Sequence, residues 1–251
     1  MTTEPTFNFT GAWVCVTGGT NGIGLAVAHA FNDAGAAVMI TGTRPSVADY
    51  EHGEELEQFH YESMNMRDPA SIDAVVDKLF AMDVLVNNAG ANFPDGLDES
   101  TPEGFDAAIE TNLLGGHRFI RGCEPLLKAS EHPGGSAVIN VASMSAFRPV
   151  PLVPGYGAAK AAVVQMTMQL GLAWATEEVR VNAIAPGLIE TNMTRIMKDI
   201  PELEAAELAK VPMGRWGQPS DLVPMFLFLA SPAAAFITGQ TFNIDGGYSV
   251  G

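Results

Sequence analysis

The chain has 251 residues, 47% of them hydrophobic and 17% charged, and carries a formal net charge of -16 at pH 7. Only 13 residues are Lys or Arg and they are scattered singly, so no clustered cations are available to displace counterions from a nucleic acid or an anionic membrane. No apolar run approaches the roughly 20 residues of a membrane span, and MTTEPTFNFT lacks the basic and apolar regions of a secretory signal, so a soluble, cytoplasmic protein is expected.

After a polar lead-in, Ala12 to Thr17 (AWVCVT) is a short apolar run ending at glycines, the pattern of a buried parallel strand. Ile23 to Ala34 places apolar residues at helical spacing, Gly35 is the stop, and Ala36 to Thr41 (AAVMIT) is a second strand. The alternation predicts a strand over 61–66, a helix over 69–80, a strand over 84–87, a helix over 104–127 and a strand over 137–142. A long helix over 157–175, a strand over 180–184, a helix over 219–230 and a strand over 239–244 complete it. No repeat, low-complexity tract or linker interrupts the series, so residues 1–251 read as one doubly wound α/β domain with a parallel sheet flanked by helices.

Two stretches carry chemistry. Thr17-Gly18-Gly19-Thr20-Asn21-Gly22-Ile23-Gly24 puts glycines at the first strand-to-helix junction, where a tight turn, close backbone approach and free N–H groups attract a pyrophosphate. Ser143 to Lys160 (SMSAFRPVPLVPGYGAAK) supplies a hydroxyl, a phenol and an amine. Tyr156 and Lys160 are four apart, so on a helix they share a face, and a nearby ammonium is expected to lower the phenol pKa toward operating pH. Ser143, at a strand end, is placed to hold a substrate oxygen. Cys15 and Cys123 show no metal or redox spacing, and the five histidines show no paired ligand pattern, so no metal is expected. The C-terminal Gly247-Tyr248-Ser249-Val250-Gly251 spells a hydrolase elbow with no helix, acid or histidine following it.

With these motifs in order the chain resembles the short-chain dehydrogenase/reductase family, over nearly its whole length. Asn87-Asn88-Ala89-Gly90 resembles that family's NNAG stretch, Asn112 its active-site asparagine, Ser143 and Tyr156 its catalytic serine and tyrosine, and Lys160 the lysine of YxxxK. Pro186-Gly187 with Ile189, Thr191 and Met193 resembles the PGxxxTxM stretch at the nicotinamide end, and Thr238-Gly239-Gln240 with Asp245-Gly246-Gly247 its C-terminal strand. The resemblance implies a Rossmann-type fold, a nicotinamide cofactor, Tyr156 as general acid/base, Lys160 as its tuner and ribose ligand, and Asn112 as the tether of a proton-relaying water. It places Gly18, Thr20, Asn21, Gly22, Ile23, Gly24, Thr43, Arg44, Asn65, Met66, Asn88, Ala89 and Gly90 along the cofactor.

Many NAD-using members carry an acidic residue after the second strand; here Gly42-Thr43-Arg44 follows Thr41, and Arg44 with Thr43 could pair with a 2′-phosphate, which favours NADP over NAD. A solvated loop charge is the alternative for Arg44. Asn21 stands where many NADP-using members have a basic residue, and Asn65 where aspartate is frequent near the adenine. Met144, Phe147, Val150, Val153, Phe93 and Met193 flank the matched positions and are apolar, which suggests a hydrophobic or cyclic alcohol/ketone substrate. Residues 192–213, bounded by Pro201 and Pro212 around an acidic run, are the candidate for a mobile helical lid. The apolar composition suggests a homo-oligomer, a dimer or tetramer. Reduction of 3-oxoacyl thioesters and a non-catalytic nucleotide-binding scaffold are the alternatives, the first disfavoured by the repulsion between an acidic chain and an acidic carrier protein.

Overall fold

The computed structural model describes residues 6–251; the first five residues of the polar lead-in lie outside the described residues. The first half of the chain forms β1 (Trp13–Val16), α1 (Gly22–Asp33), β2 (Ala37–Gly42), the single turn α2 (Gly53–Leu56), β3 (His60–Ser63), α3 (Pro69–Val76), β4 (Val84–Asn87) and α4 (Pro102–Ile109). It continues through α5 (Gly115–Lys128), β5 (Ser136–Val141), α6 (Pro154–Trp174), β6 (Val179–Pro186), α7 (Arg195–Lys198), α8 (Pro201–Leu208), α9 (Pro219–Ala230) and β7 (Thr241–Ile244). The seven strands form one parallel sheet in the order β3-β2-β1-β4-β5-β6-β7. The order reverses between β1 and β4, so a crevice opens beyond their carboxyl ends, where doubly wound sheets bind ligands.

Alternation along the strands divides the core. Val14, Val16, Val38, Ile40, Val84 and Val86 face α1 and α9 on one side. Cys15, Met39, Leu85, Val138 and Val181 face the opposite layer, which holds Ile72 and Val75 of α3, Phe119, Ile120 and Cys123 of α5, and Leu170 and Trp174 of α6. Both faces are covered, which is why the strands read as continuous apolar runs.

The strand predicted over 61–66 is His60–Ser63. Its partner β2 ends at Gly42, opposite Ser63, and after one further bond from Met64 N–H to the Gly42 carbonyl the chain turns away. The helix predicted over 69–80 stops at Val76, where Lys78 and Leu79 tighten the end by bonding the carbonyls three residues back. The helix predicted over 104–127 is interrupted by a π turn at Glu110–Leu114. Here the helix runs hard against other segments: a Cβ on Gly115 would lie 2.2 Å from the Met66 carbonyl oxygen and one on Gly116 2.7 Å from the side-chain Nδ2 of Asn87.

A buried relay of amides fixes α6 against the sheet. Asn87 Nδ2 donates to Asn140 Oδ1 (3.0 Å), Asn140 Nδ2 donates to Thr167 Oγ1 (2.9 Å), and the Thr167 hydroxyl donates to the Val163 carbonyl (2.8 Å). Each member is satisfied, so the relay sets the rotation of α6 at little cost.

Arg180 on β6 is 5% exposed, and its guanidinium donates to the carbonyls of Gly134, Leu229, Ala230 and Ala234. Leu229 and Ala230 end α9, so this cation caps that helix at its negative end. Arg180→Met takes this donor from the carbonyls of Gly134, Leu229 and Ala230, while Ala234 still accepts from Ile237 N–H, and is expected to destabilise the protein by about 3 kcal/mol, readable as a lower denaturation midpoint in urea.

Candidate active site

The glycine loop is held from both sides. Gly18 N–H donates to Thr41 Oγ1 (3.2 Å) and Gly19 N–H to the Thr41 carbonyl (3.1 Å). Asn88 Nδ2 donates to the carbonyls of Thr17 (2.9 Å) and Gly18 (3.2 Å), while Thr17 Oγ1 accepts from the N–H groups of Asn88 and Ala89. Gly18 (φ +65°) and Gly22 (φ +54°) adopt the left-handed backbone the loop requires. Gly24 instead provides close packing: a Cβ there would lie 2.4 Å from the Gly18 carbonyl oxygen. Asn21 occupies the N-cap of α1 without bonding its N–H groups, so the first turn is left open to an anion. Thr191 closes the other side, 3.3 Å from where a Gly22 Cβ would stand. A cavity of about 330 Å³ lies there, lined by Gly22, Glu190, Thr191, Asn192, Arg195 and Lys198. Ile23 is half-buried behind the loop, Pro186 and Ile189 are buried, and Gly187 packs on Asp245.

Tyr156 and Lys160 lie on the first two turns of α6, which starts at Pro154, three residues before the predicted start, with proline in a position suited to a first helical turn. The Lys160 ammonium is 5.4 Å from the Tyr156 ring centroid and donates to the Val141 carbonyl at the end of β5 (2.8 Å). Lys160 is 3% exposed, and burial brings its pKa down to about 8. Burial pushes the Tyr156 phenol up to about 12, the neighbouring Ser143 hydroxyl pulls it the other way, and the Glu99 charge adds to the rise. The lowering expected from the Tyr156/Lys160 spacing is not seen in the chain by itself, where desolvation of the phenolate is the largest influence on the phenol.

Ser143 caps the 3₁₀ turn Met144–Ala146, and its Oγ accepts from Ser145 N–H (3.2 Å) and from the Ser145 hydroxyl (2.9 Å). Asn112 sits in the π turn and is 5% exposed. Its Oδ1 accepts from Ala91 N–H (3.0 Å), and its Nδ2 donates to the carbonyls of Ala91 and Ala108 (2.9 Å each). Gly90 lies against both: a Cβ there would be 2.7 Å from Asn112 Oδ1 and 3.4 Å from Lys160 Nζ. Ser143, Tyr156, Lys160 and Asn112 thus converge beyond the carboxyl ends of β4 and β5. The amide of Asn112 is occupied in bracing the loop after β4.

At the end of β2, Arg44 is not a free cation. Its guanidinium donates to the Asp49 carbonyl and lies 5.0 Å from the centroid of the Tyr50 ring. The Tyr50 hydroxyl accepts from Arg44 N–H (3.0 Å) and stands 2.2 Å from where a Gly42 Cβ would be, with Thr20 Cγ2 2.7 Å from the same point, while Thr43 is exposed. Asn65 is exposed, with Oδ1 accepting from Arg67 N–H, whereas the Met66 side chain is buried in the core.

Among the predicted substrate positions, Phe93, Phe147 and Met193 are exposed at 36%, 46% and 41%. Val150 is half-buried, and Met144 packs on the cluster of Leu188, Val211, Trp216 and Tyr248. Val153 is buried at the N-cap of α6. The 192–213 segment forms α7 and α8, tied down by Lys198 to Glu190 (2.7 Å) and by Trp216 Nε1–H to Glu204 Oε1 (2.8 Å). Glu99, Ser145 and Tyr50 were not singled out in the sequence: each is a commonplace polar residue whose partners are distant in the chain or form only in a turn. Among the described residues no group of three or more metal-ligating side chains occurs, and no helix is long and apolar enough to cross a membrane.

A family model described as enoyl-(acyl carrier protein) reductase matches residues 18–249. A 3alpha-hydroxysteroid dehydrogenase of Mediterraneibacter gnavus is 33% identical over 242 residues, 92% of this chain and 94% of that protein. The NADP complex of RhlG from Pseudomonas aeruginosa superposes with a TM-score of 0.86 at 29% identity, covering 98% of this chain and 100% of the other. A 3-ketoacyl-(acyl-carrier-protein) reductase from Brucella melitensis complexed with NADH gives 0.83 at 31% identity, with 97% and 100% covered. Matched by that family model over residues 18–249, 33% identical to a relative covered over 94% of its length, and built on a seven-stranded parallel sheet, the chain belongs to the short-chain dehydrogenase/reductase family.

Proposed function

We propose that this enzyme transfers a hydride between a bound NAD(P) and a secondary alcohol/ketone pair of hydrophobic or cyclic character. The observation that carries the proposal is the convergence of Ser143, Tyr156 and buried Lys160 beside a glycine loop whose helix start is unblocked. The loop fits the cofactor: Gly18 and Gly22 adopt φ values only glycine takes easily, and the open first turn of α1 suits a pyrophosphate. Thr20, Asn21, Ile23, Asn88, Ala89, Gly90, Thr191 and Met193 border its path. A bound nicotinamide supplies the hydride in reduction and accepts it in oxidation.

In reduction Tyr156 donates its phenolic proton to the carbonyl oxygen as the carbon accepts the hydride, and in oxidation the phenolate takes that proton back. Ser143 orients the substrate oxygen: its Oγ accepts twice from Ser145, which leaves its own hydrogen free to donate. Lys160 holds positive charge beside the ring and offers N–H groups to the ribose. Asn112 acts through its bracing of Ala91. Absence of a carboxylate after β2 favours NADP, with Arg44 released from Asp49 or Tyr50 supplying the 2′-phosphate contact. Exposed Phe93 and Phe147 and half-buried Val150, with Met144 and buried Val153, are the proposed apolar wall of the substrate mouth, and residues 192–213 its proposed cover. Exposed Met168 and Leu172 on α6 and Leu114 beside α5 are apolar surface suited to contact between copies of the chain, consistent with a dimer or tetramer.

The test is a panel of cyclic and hydrophobic ketones and 3-oxoacyl thioesters, assayed with NADPH and NADH in parallel. Cyclic ketones turned over faster with NADPH are the expected result. Preference for the thioesters moves the substrate to the acyl class, and no cofactor oxidation with any compound overturns the proposal.

A further inference from the structure

Glu99, in the loop between β4 and α4, is 0% exposed, and none of the ion pairs among the described residues involves it. A buried carboxylate without a cation is costly unless N–H groups satisfy it. Two do, and they come from different parts of the site. Oε2 accepts from the backbone N–H of Tyr156 (2.7 Å), and Oε1 accepts from the backbone N–H of Phe93 (2.9 Å).

Each bond answers a local need. Val153, at the N-cap of α6, makes no side-chain cap, so the N–H groups of the first turn have no local acceptor. Tyr156 is the third residue of that helix, and a negative charge at the positive end of a 21-residue helix is favourable. Phe93 has φ +48° and Asp95 φ +56°, left-handed backbone in two residues other than glycine, which persists only where surroundings impose it. Gly155 provides the clearance: a Cβ there would stand 2.8 Å from Ala108 Cβ and 3.3 Å from Glu99 Oε2.

We propose that Glu99 is a positioning residue whose single carboxylate clamps the strained Phe93 turn to the first turn of α6, so that the apolar mouth and the Tyr156 phenol are held in one register. The inference rests on the proposed roles of Tyr156 and Phe93. Three charged or polar side chains bear on that phenol: Lys160 from its own helix, Ser143 from the end of β5, and Glu99 from the loop before α4.

Glu99→Gln keeps the volume but offers one acceptor where two donors converge. It is expected to lower kcat/KM about 10-fold or more, with cofactor Kd changed less than about twofold. Loss of the charge that raises the Tyr156 pKa also moves the acidic limb of the pH profile for alcohol oxidation to lower pH. Glu99→Asp keeps the charge but is too short to span both amides, so the limb stays in place while KM rises. A folded Glu99→Gln enzyme with unchanged kcat/KM and an unmoved limb overturns the proposal. In the wild-type protein, hydrogen exchange must show the Phe93 and Tyr156 amides protected to the same degree; a freely exchanging Phe93 amide beside a protected Tyr156 amide overturns it too. That measurement needs no turnover, so it decides the clamp even if the ketone panel fails.

Discussion

Tyr156→Phe lowers turnover by at least about 10²-fold in either direction, while cofactor affinity stays within about twofold. The substitution removes one oxygen from a ring whose packing on α6 is otherwise kept, and that oxygen is the one in contact with Ser143. Burial holds the phenol pKa up to about 12 in the chain by itself, so at neutral pH Tyr156 is protonated and ready to serve as the acid of reduction. Oxidation needs the phenolate, so the wild-type oxidation rate climbs as pH rises above neutrality and the reduction rate does not. Steady-state rates with a cofactor-binding titration check the variant. A Tyr156→Phe enzyme within about tenfold of wild type would falsify the acid/base assignment.

Lys160→Met separates stability from activity. The lysine pKa falls from 10.5 to about 8 on burial, a gap that corresponds to roughly 3 kcal/mol of unfavourable charge burial. Because the folded pKa is the lower one, that cost is fully present below pH 8, fades between about 8 and 10.5, and vanishes above. Methionine fills a similar volume without the charge and forfeits the bond to the Val141 carbonyl, about 1 kcal/mol. The cofactor-free variant is therefore expected to gain about 1–2 kcal/mol at pH 7, a Tm higher by about 2–8 °C, and to lose that advantage by pH 10. Turnover falls by at least about 10²-fold, since the phenol loses its neighbouring cation. Thermal unfolding at pH 7 and pH 10 checks the sign, and a destabilised variant at pH 7 refutes it.

The sequence carried the parts of this protein that depend on local chemistry. Gly18 and Gly22 were legible because few other residues tolerate their backbone, and Tyr156 and Lys160 because helical spacing puts them on one face. The strand runs were legible because both faces of the sheet are covered, so no alternation of polar residues interrupts them. Element ends were not. The strand at His60–Ser63 stops where its partner β2 stops, and the π turn around Asn112 arises beside the close contacts of Gly115 with Met66 and Gly116 with Asn87.

The sequence by itself determined the family and the parallel α/β architecture and pointed to the proposed reacting groups, because spacing, glycine conformation and apolar periodicity are properties of neighbouring residues. Only the tertiary structure decided how those groups are tuned and held. The rise in the Tyr156 pKa comes chiefly from burial, Arg44 is engaged by a loop that folds back on it, and Glu99 lies 57 residues from the Tyr156 amide that it accepts from. Desolvation and long-range hydrogen bonds are set by what packs around a side chain, and no local pattern records that.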